Sequence, residues 1–315
     1  MVEKSSETVH QGENMSEKQL NENQARTFVK TCREFTAEIA EESNFDPKII
    51  SEYLSPQNSY KAITLQEIFI RLITSAANAN MLSNVIEFST NKDKTRKDKI
   101  LHAILGVKGL ESTSLKDKEF RSHLEQFSAI DIDKTIIRLK NTEGILKGNK
   151  REVLWCRWLR SVQDTASFLL SFKSGGDFSK HFTNLPSDYL FAGPILIKRK
   201  ITGIGFALAC DALKELGFTQ YVKPDTHINE VFIKLGLACE VSSTLDTQLN
   251  VFDAAIRLVN TYNSCCSDQI TAYELDKLIW LSCTGHFYLH KKRFGKGKKD
   301  LRNLLIQRLN DELTK

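Results

Sequence analysis

The chain has 315 residues, 41% of them hydrophobic and only five of them proline, with dense mixed charge that nets +5. That size can bury one sizeable core or two modest ones, and the composition excludes collagen-like, wholly disordered and disulfide-scaffold classes. Seven cysteines without a paired framework predict reduced thiols, and no stretch is apolar for long enough to span a membrane or form a signal segment, so an intracellular protein without membrane contact is expected.

Residues 1–23 are nearly devoid of aliphatic and aromatic side chains and are expected to form a disordered tail. From about Asn23, Phe28, Val29, Cys32, Phe35 and Ile39 recur at helical spacing and predict a first amphipathic helix. A second starts at Thr64, carries Ile68, Phe69, Leu72 and Ile73, and runs into "SAANANM", where Asn78 and Asn80 interrupt the apolar stripe. Short helical stripes over 94–106, 117–127 and 131–140 are separated by "GVKGLESTS" and "SAIDID", whose Gly, Ser and Asp residues suit turns and caps. The longest pattern, "REVLWCRWLRSVQDTASFLLSF", sets Leu154, Trp155, Trp158, Leu159, Val162 and Leu169 on one face and is stopped by "KSGGD". Three further helices are expected over about 245–262, 268–282 and 299–313. No segment sustains period-two alternation, so the predicted fold is all-α. The basic run "HKKRFGKGKKD" suits a solvated surface better than a phosphate contact.

The most specific stretch is "ITGIGFALACDALKELGFTQYVKPDTHINEVF", residues 201–232. Gly203 and Gly205 flank Ile204 just ahead of a helical run. Only glycine takes positive φ without strain, and the first N–H groups of the following helix have no intrahelical partner. Such amides, at the positive end of the helix dipole, suit a nucleic-acid phosphate, and "KRK" at 198–200 places cations just upstream. A G-x-G pair alone is equally consistent with an ordinary tight connection. Asp225 follows Pro224 at the head of the next helix, where it can serve as a plain N-cap.

The stretch resembles the helix-hairpin-helix signature of the DNA glycosylase superfamily that includes endonuclease III and the 8-oxoguanine glycosylases. "ITGIGFALA" takes the place of the hairpin, with Thr202 where proline is usual, and "KPDTHI" takes the place of the aspartate segment. Asp225 lies 18 residues beyond Ala207, the interval expected for the family. The resemblance is sharp over about 185–237 and faint elsewhere. It implies two helical subdomains with a DNA-binding cleft between them: 63–217, ending in the hairpin, and 218–315, against which 24–62 folds back. It also implies phosphate contacts at Gly203, Gly205, Ala207, His227 and Lys200, and an intercalating Asn78 or Asn80. Phe206, Trp155 and Phe287 are candidates for the base pocket, with Trp158 and Tyr288 beside them.

In such an enzyme a carboxylate stabilises positive charge on the sugar as the base departs, the role implied for Asp225. Ala207 stands where strand-cutting members keep a lysine nucleophile, so the resemblance implies a monofunctional, monomeric N-glycosylase acting in base excision repair on double-stranded DNA that holds a modified or mispaired base. A nucleoid, cytoplasmic or nuclear location would follow. The alternatives are a glycosylase/lyase using a displaced lysine, such as Lys198, Lys200 or Lys223, and a non-catalytic DNA-binding protein. Cys239, Cys265, Cys266 and Cys283 lack iron–sulfur spacing, and Cys283, His286 and His290 lack a second pair for zinc, so no metal or cluster is expected. A monovalent cation at the hairpin is the one cofactor the resemblance allows.

Overall fold

The computed structural model describes residues 19–55, 63–79, 86, 88, 94–105, 114–142, 145–146, 152–287, 292–293 and 298–315. Among them the architecture is all-α, with one two-residue antiparallel ribbon pairing His286 with Arg293 and Phe287 with Lys292. The first helices are α1 (Glu22–Glu42), α2 (Pro47–Leu54), α3 (Leu65–Ala77), α4 (Lys94–Leu105), α5 (Asp117–Ser128) and α6 (Ile132–Asn141). Then come α7 (Glu152–Leu169), α8 (Gly175–Thr183), α9 (Ala192–Lys200) and α10 (Phe206–Glu215). The last are α11 (Thr226–Lys234), α12 (Thr244–Cys265), α13 (Ala272–Thr284) and α14 (Lys298–Leu313).

Local chemistry fixes the helix starts. Reciprocal capping boxes open α1 (Asn21 with Gln24), α3 (Thr64 with Glu67) and α13 (Thr271 with Glu274), each satisfying two backbone donors at once. Two helices escape the apolar periodicity. Asp46 caps α2 by accepting the Lys48 N–H at 2.9 Å, and Pro47 supplies its first residue. The "KSGGD" stop after α7 is also a start: Ser174 Oγ accepts the Asp177 N–H at 3.1 Å, so the glycines become the first residues of α8. Asp117, at the head of α5, serves two neighbours. Its Oδ1 accepts the Leu65 N–H of α3 at 2.7 Å, and its Oδ2 accepts the Gly175 N–H of α8 at 2.8 Å.

The helices pack in two groups. In the first, α7 lies against α3 and α5, and α10 lies against α3 and α9. Trp155 and Trp158 are fully buried in this group, and the Trp158 indole donates to the Ile73 carbonyl at 2.9 Å. In the second, the apolar face of α1 packs on α12, α13 and α14, and Phe28 meets Phe232 of α11 with ring centres 5.9 Å apart. Burial of these large side chains, at roughly 1.5–3 kcal/mol each, is the main stabilising contribution.

The groups are joined by buried charge. Lys214 of α10, 4% exposed, pairs with Asp276 of α13, 3% exposed, and lies 3.5 Å from Asp211. Asp211 also accepts from Arg71 of α3 at 2.8 Å and faces Lys223 at 3.6 Å. The second oxygen of Asp276 accepts the Lys223 backbone N–H at 2.8 Å. At the rim, Lys277 of α13 pairs with Glu215 of α10 at 3.0 Å. Burial opposes the charge on Asp211, but Lys223, Arg71 and Lys214 outweigh it and hold the carboxyl well below the usual carboxylate range. Burial likewise opposes the Lys214 ammonium, which Asp276 and Asp211 hold above its ordinary range. For Asp276 burial is the larger influence and raises the carboxyl, with Lys214 pulling the other way.

Removing one member strands the others. Lys214→Met should cost about 3–5 kcal/mol in urea unfolding, and the double variant Lys214→Met/Asp276→Leu should cost markedly less than the sum of the single changes. The depressed Asp211 carboxyl stabilises the fold above its unfolded value near 3.9 and loses that contribution as pH falls. Unfolding curves should therefore show wild type losing its stability advantage over Asp211→Asn as pH drops below about 4.

Candidate nucleic-acid interface and carboxylate site

Between α9 and α10 the chain reverses in five residues, Ile201 to Gly205. The Ile204 N–H donates to the Ile201 carbonyl at 3.3 Å, closing a four-residue turn whose third residue, Gly203, has φ +85°. A type II turn requires glycine there and commonly takes proline one residue earlier. Here that earlier residue is Thr202, whose N–H donates to Asp164 Oδ2 at 2.9 Å, a bond proline could not make. Its carbonyl in turn accepts from Ser161 Oγ at 2.5 Å. Helix α7 thus holds the turn through both main-chain polar groups of one residue.

Gly205 differs from Gly203. It is the exposed N-cap of α10 with φ −81°, a backbone any residue adopts, and a Cβ there would meet nothing within 4 Å. No side chain caps α10, so the N–H groups of Phe206, Ala207 and Leu208 have no partner among the described residues. The exposed side chains of Lys198, Arg199 and Lys200 end α9 just before the turn. A further cation comes from α7: Arg157 is exposed, has no ion pair among the described residues, and its Nε lies 3.9 Å from where a Cβ on Gly203 would sit. Bare amides beside several cations are the chemistry that suits an anion.

Asp225 is built into the head of α11. Across Pro224 its N–H donates to the Lys223 carbonyl at 2.7 Å in a three-residue turn. Its Oδ1 accepts from the His227 N–H at 2.9 Å and the Ile228 N–H at 3.4 Å, while Oδ2 has no partner among the described residues. The residue is a cap through one oxygen only, and it remains partly exposed. The hairpin and this segment are tied together twice. Asp211 and Lys214 of α10 join Lys223 through the buried charges, and Phe206 and Tyr221 both pack on Phe252 of α12, with ring centres 5.6 and 6.4 Å away.

The other candidates are spread more widely. Ala207 is half-buried in the first turn of α10, His227 is half-buried in the first turn of α11, and Lys200 is exposed. Asn78 is exposed at the C-cap of α3, and Asn80 lies outside the described residues. Trp155 and Phe206 are core residues, edge-on to Trp158 and Phe252 respectively. The backbone of Phe287 falls in the short ribbon; its side chain, like Tyr288 and His290, lies outside what the structure describes. A cavity of about 180 Å³ is lined by Gln19, Leu20, Leu237, Arg257 and neighbours, none from the hairpin or the Asp225 segment. All seven cysteines are free, and among the described residues no three His, Cys, Asp or Glu side chains come together to hold a metal. Arg157, Ser161 and Asp164 are the residues sequence reasoning passed over. Their spacing of four and three puts them on one polar stripe of an amphipathic helix, a signal visible in the sequence.

No protein-family model, curated protein or solved structure matches this chain.

The two glycines should respond differently to substitution. Gly203→Ala forces a Cβ into the left-handed region and should cost about 1–3 kcal/mol in thermal or chemical unfolding. Gly205→Ser introduces a competent N-cap and should alter stability by no more than about 0.5 kcal/mol.

Proposed function

We propose that the chain is a monofunctional DNA N-glycosylase that draws a modified or mispaired base out of duplex DNA and hydrolyses its N-glycosidic bond. The observation that carries this reading is the fixed pairing of an uncapped, glycine-opened helix start with a carboxylate that has one oxygen uncommitted. The amides of Phe206, Ala207 and Leu208, with Arg157 and Lys200 beside them, grip a backbone phosphate next to the target. Asp225 stabilises the positive charge that builds on the sugar as the base leaves, and water completes the substitution at the sugar carbon. Asn78 and Asn80 are the candidates to fill the space left by the everted base. The two helix groups lie on either side of the bound duplex in this reading, and the DNA completes the pocket around the everted base.

A displaced-lysine lyase is the weaker reading. Lys223, the lysine nearest Asp225 in sequence, faces Asp211, which together with Asp225 holds its ammonium above the ordinary lysine range against the effect of burial, so the free amine needed for a Schiff base is disfavoured. A non-catalytic DNA-binding role draws support from the observed cap, since capping alone explains an aspartate at this position.

Asp225→Asn separates cap from catalyst, because asparagine caps as well as aspartate but carries no charge. Single-turnover incubation with duplexes each bearing one altered base, followed by hot alkali, should show base release by wild type. The variant should release base about 10²–10³-fold more slowly at unchanged melting temperature. Release at the wild-type rate would leave the carboxylate a cap only. Lack of release from a broad panel that nonetheless binds would favour the non-catalytic role.

The phosphate grip is tested separately. Gly205→Ser should weaken duplex binding despite its intact stability, because the added side chain occupies the space a phosphate would use. Arg157→Gln should lower the slope of log affinity against log salt by about 1.

A further inference from the structure

The C-terminus of α12 carries two adjacent thiols, Cys265 and Cys266, whose sulfurs lie 3.7 Å apart. Both residues are partly exposed, whereas Cys32, Cys210 and Cys283 are buried. The pair is held in place. Cys265 Sγ lies 3.4 Å from the Tyr262 carbonyl and 3.6 Å from the Glu22 carbonyl of α1, and Arg26 of α1 donates to the Cys265 carbonyl at 2.9 Å. The neighbouring Cys266 and Cys265 hold the Arg26 guanidinium above its ordinary range. A centre that binds both sulfurs at about 2.3 Å sets them about 3.4 Å apart at a pyramidal angle near 95° and about 3.8 Å apart at a tetrahedral one, so the observed 3.7 Å needs a shift of only about 0.3 Å to close on a pyramidal chelate.

We propose that Cys265 and Cys266 form a chelating site for a thiophilic trivalent arsenical. A structural zinc ion needs four protein ligands, and among the described residues no third His, Cys, Asp or Glu joins the pair. Trivalent arsenic is satisfied by two sulfurs plus one further substituent, which the protein need not supply. In the exchange, two As–S bonds replace two As–O bonds, the thiol protons leave with the displaced hydroxides as water, and no electrons are transferred. Soft sulfur donors select such a centre, and neighbouring thiols make the second bond intramolecular. The site is separate from the hairpin and Asp225, and the inference does not depend on the proposed glycosylase activity.

The test is titration of the full chain with phenylarsine oxide, read by native mass spectrometry and by loss of free thiol. Wild type should take up one equivalent tightly and lose two reactive thiols. Cys265→Ser and Cys266→Ser should each weaken uptake by about 10²-fold or more, as expected when a chelate becomes a single bond. Circular dichroism should show both variants folded, since both side chains sit near the surface. Uptake by wild type that persists undiminished in the single variants would place the adduct on other thiols and overturn the proposal, as would absence of uptake by the wild-type chain.

Discussion

The buried charges around Lys214 are the constraint from which the geometry of the rest follows. Two carboxylates and three cations, drawn from α3, α10, α13 and the strand of chain before Asp225, converge around the almost fully buried pair Lys214 and Asp276. An apolar contact between the two helix groups could slide or repack at modest cost. Buried charges cannot, because each displacement leaves a partner desolvated and unpaired. Since Lys214 belongs to the helix that starts at the hairpin and Lys223 to the segment that ends at Asp225, the same cluster sets the position of the bare amides relative to the carboxylate.

Rigidity reaches the hairpin by a second route. Thr202 gives up the preset backbone of proline but gains an N–H, and α7 uses that N–H and the adjacent carbonyl to clamp the turn. The turn is therefore held by tertiary bonds instead of by its own covalent geometry. Arg157, one turn of α7 from Ser161, comes to the hairpin on the same helix face that supplies the clamp.

Much of this was legible in the sequence, for identifiable reasons. Helices α1, α3 and α12 bury one long apolar stripe, and their capping residues lie beside it in the chain, so periodicity and punctuation agree. Helices α2 and α8 are short and take their start from Asp46–Pro47 and Ser174, where glycine or proline reads first as an interruption. The positive φ of Gly203 and the capping role of Asp225 follow from local chemistry and could be anticipated. The charge cluster could not, because Arg71, Asp211, Lys223 and Asp276 are distant in sequence and each alone looks like a solvated surface residue. The burial of Trp155 and Phe206 has the same origin: an aromatic residue on a helix face lines a pocket or fills a core according to what packs opposite it.

The packing of α1 has a consequence for the order in which the molecule takes shape. Its buried face, including Phe28, Cys32, Phe35 and Ile39, is covered by α12, α13 and α14, and Thr36 shares a hydrogen bond of 2.6 Å with Ser282. During synthesis that face leaves the ribosome some 200 residues before the helices that cover it. At about 5–20 residues per second this is roughly 10–40 s in which an amphipathic helix has no native partner. The group formed by α3 to α10 can meanwhile assemble from neighbouring segments, so the nascent chain would hold a folded middle beside a sticky leading helix. Helix α1 is in this sense late to find its place although it is made well before the helices that cover it, and chaperones that shield emerging apolar segments would have it to hold.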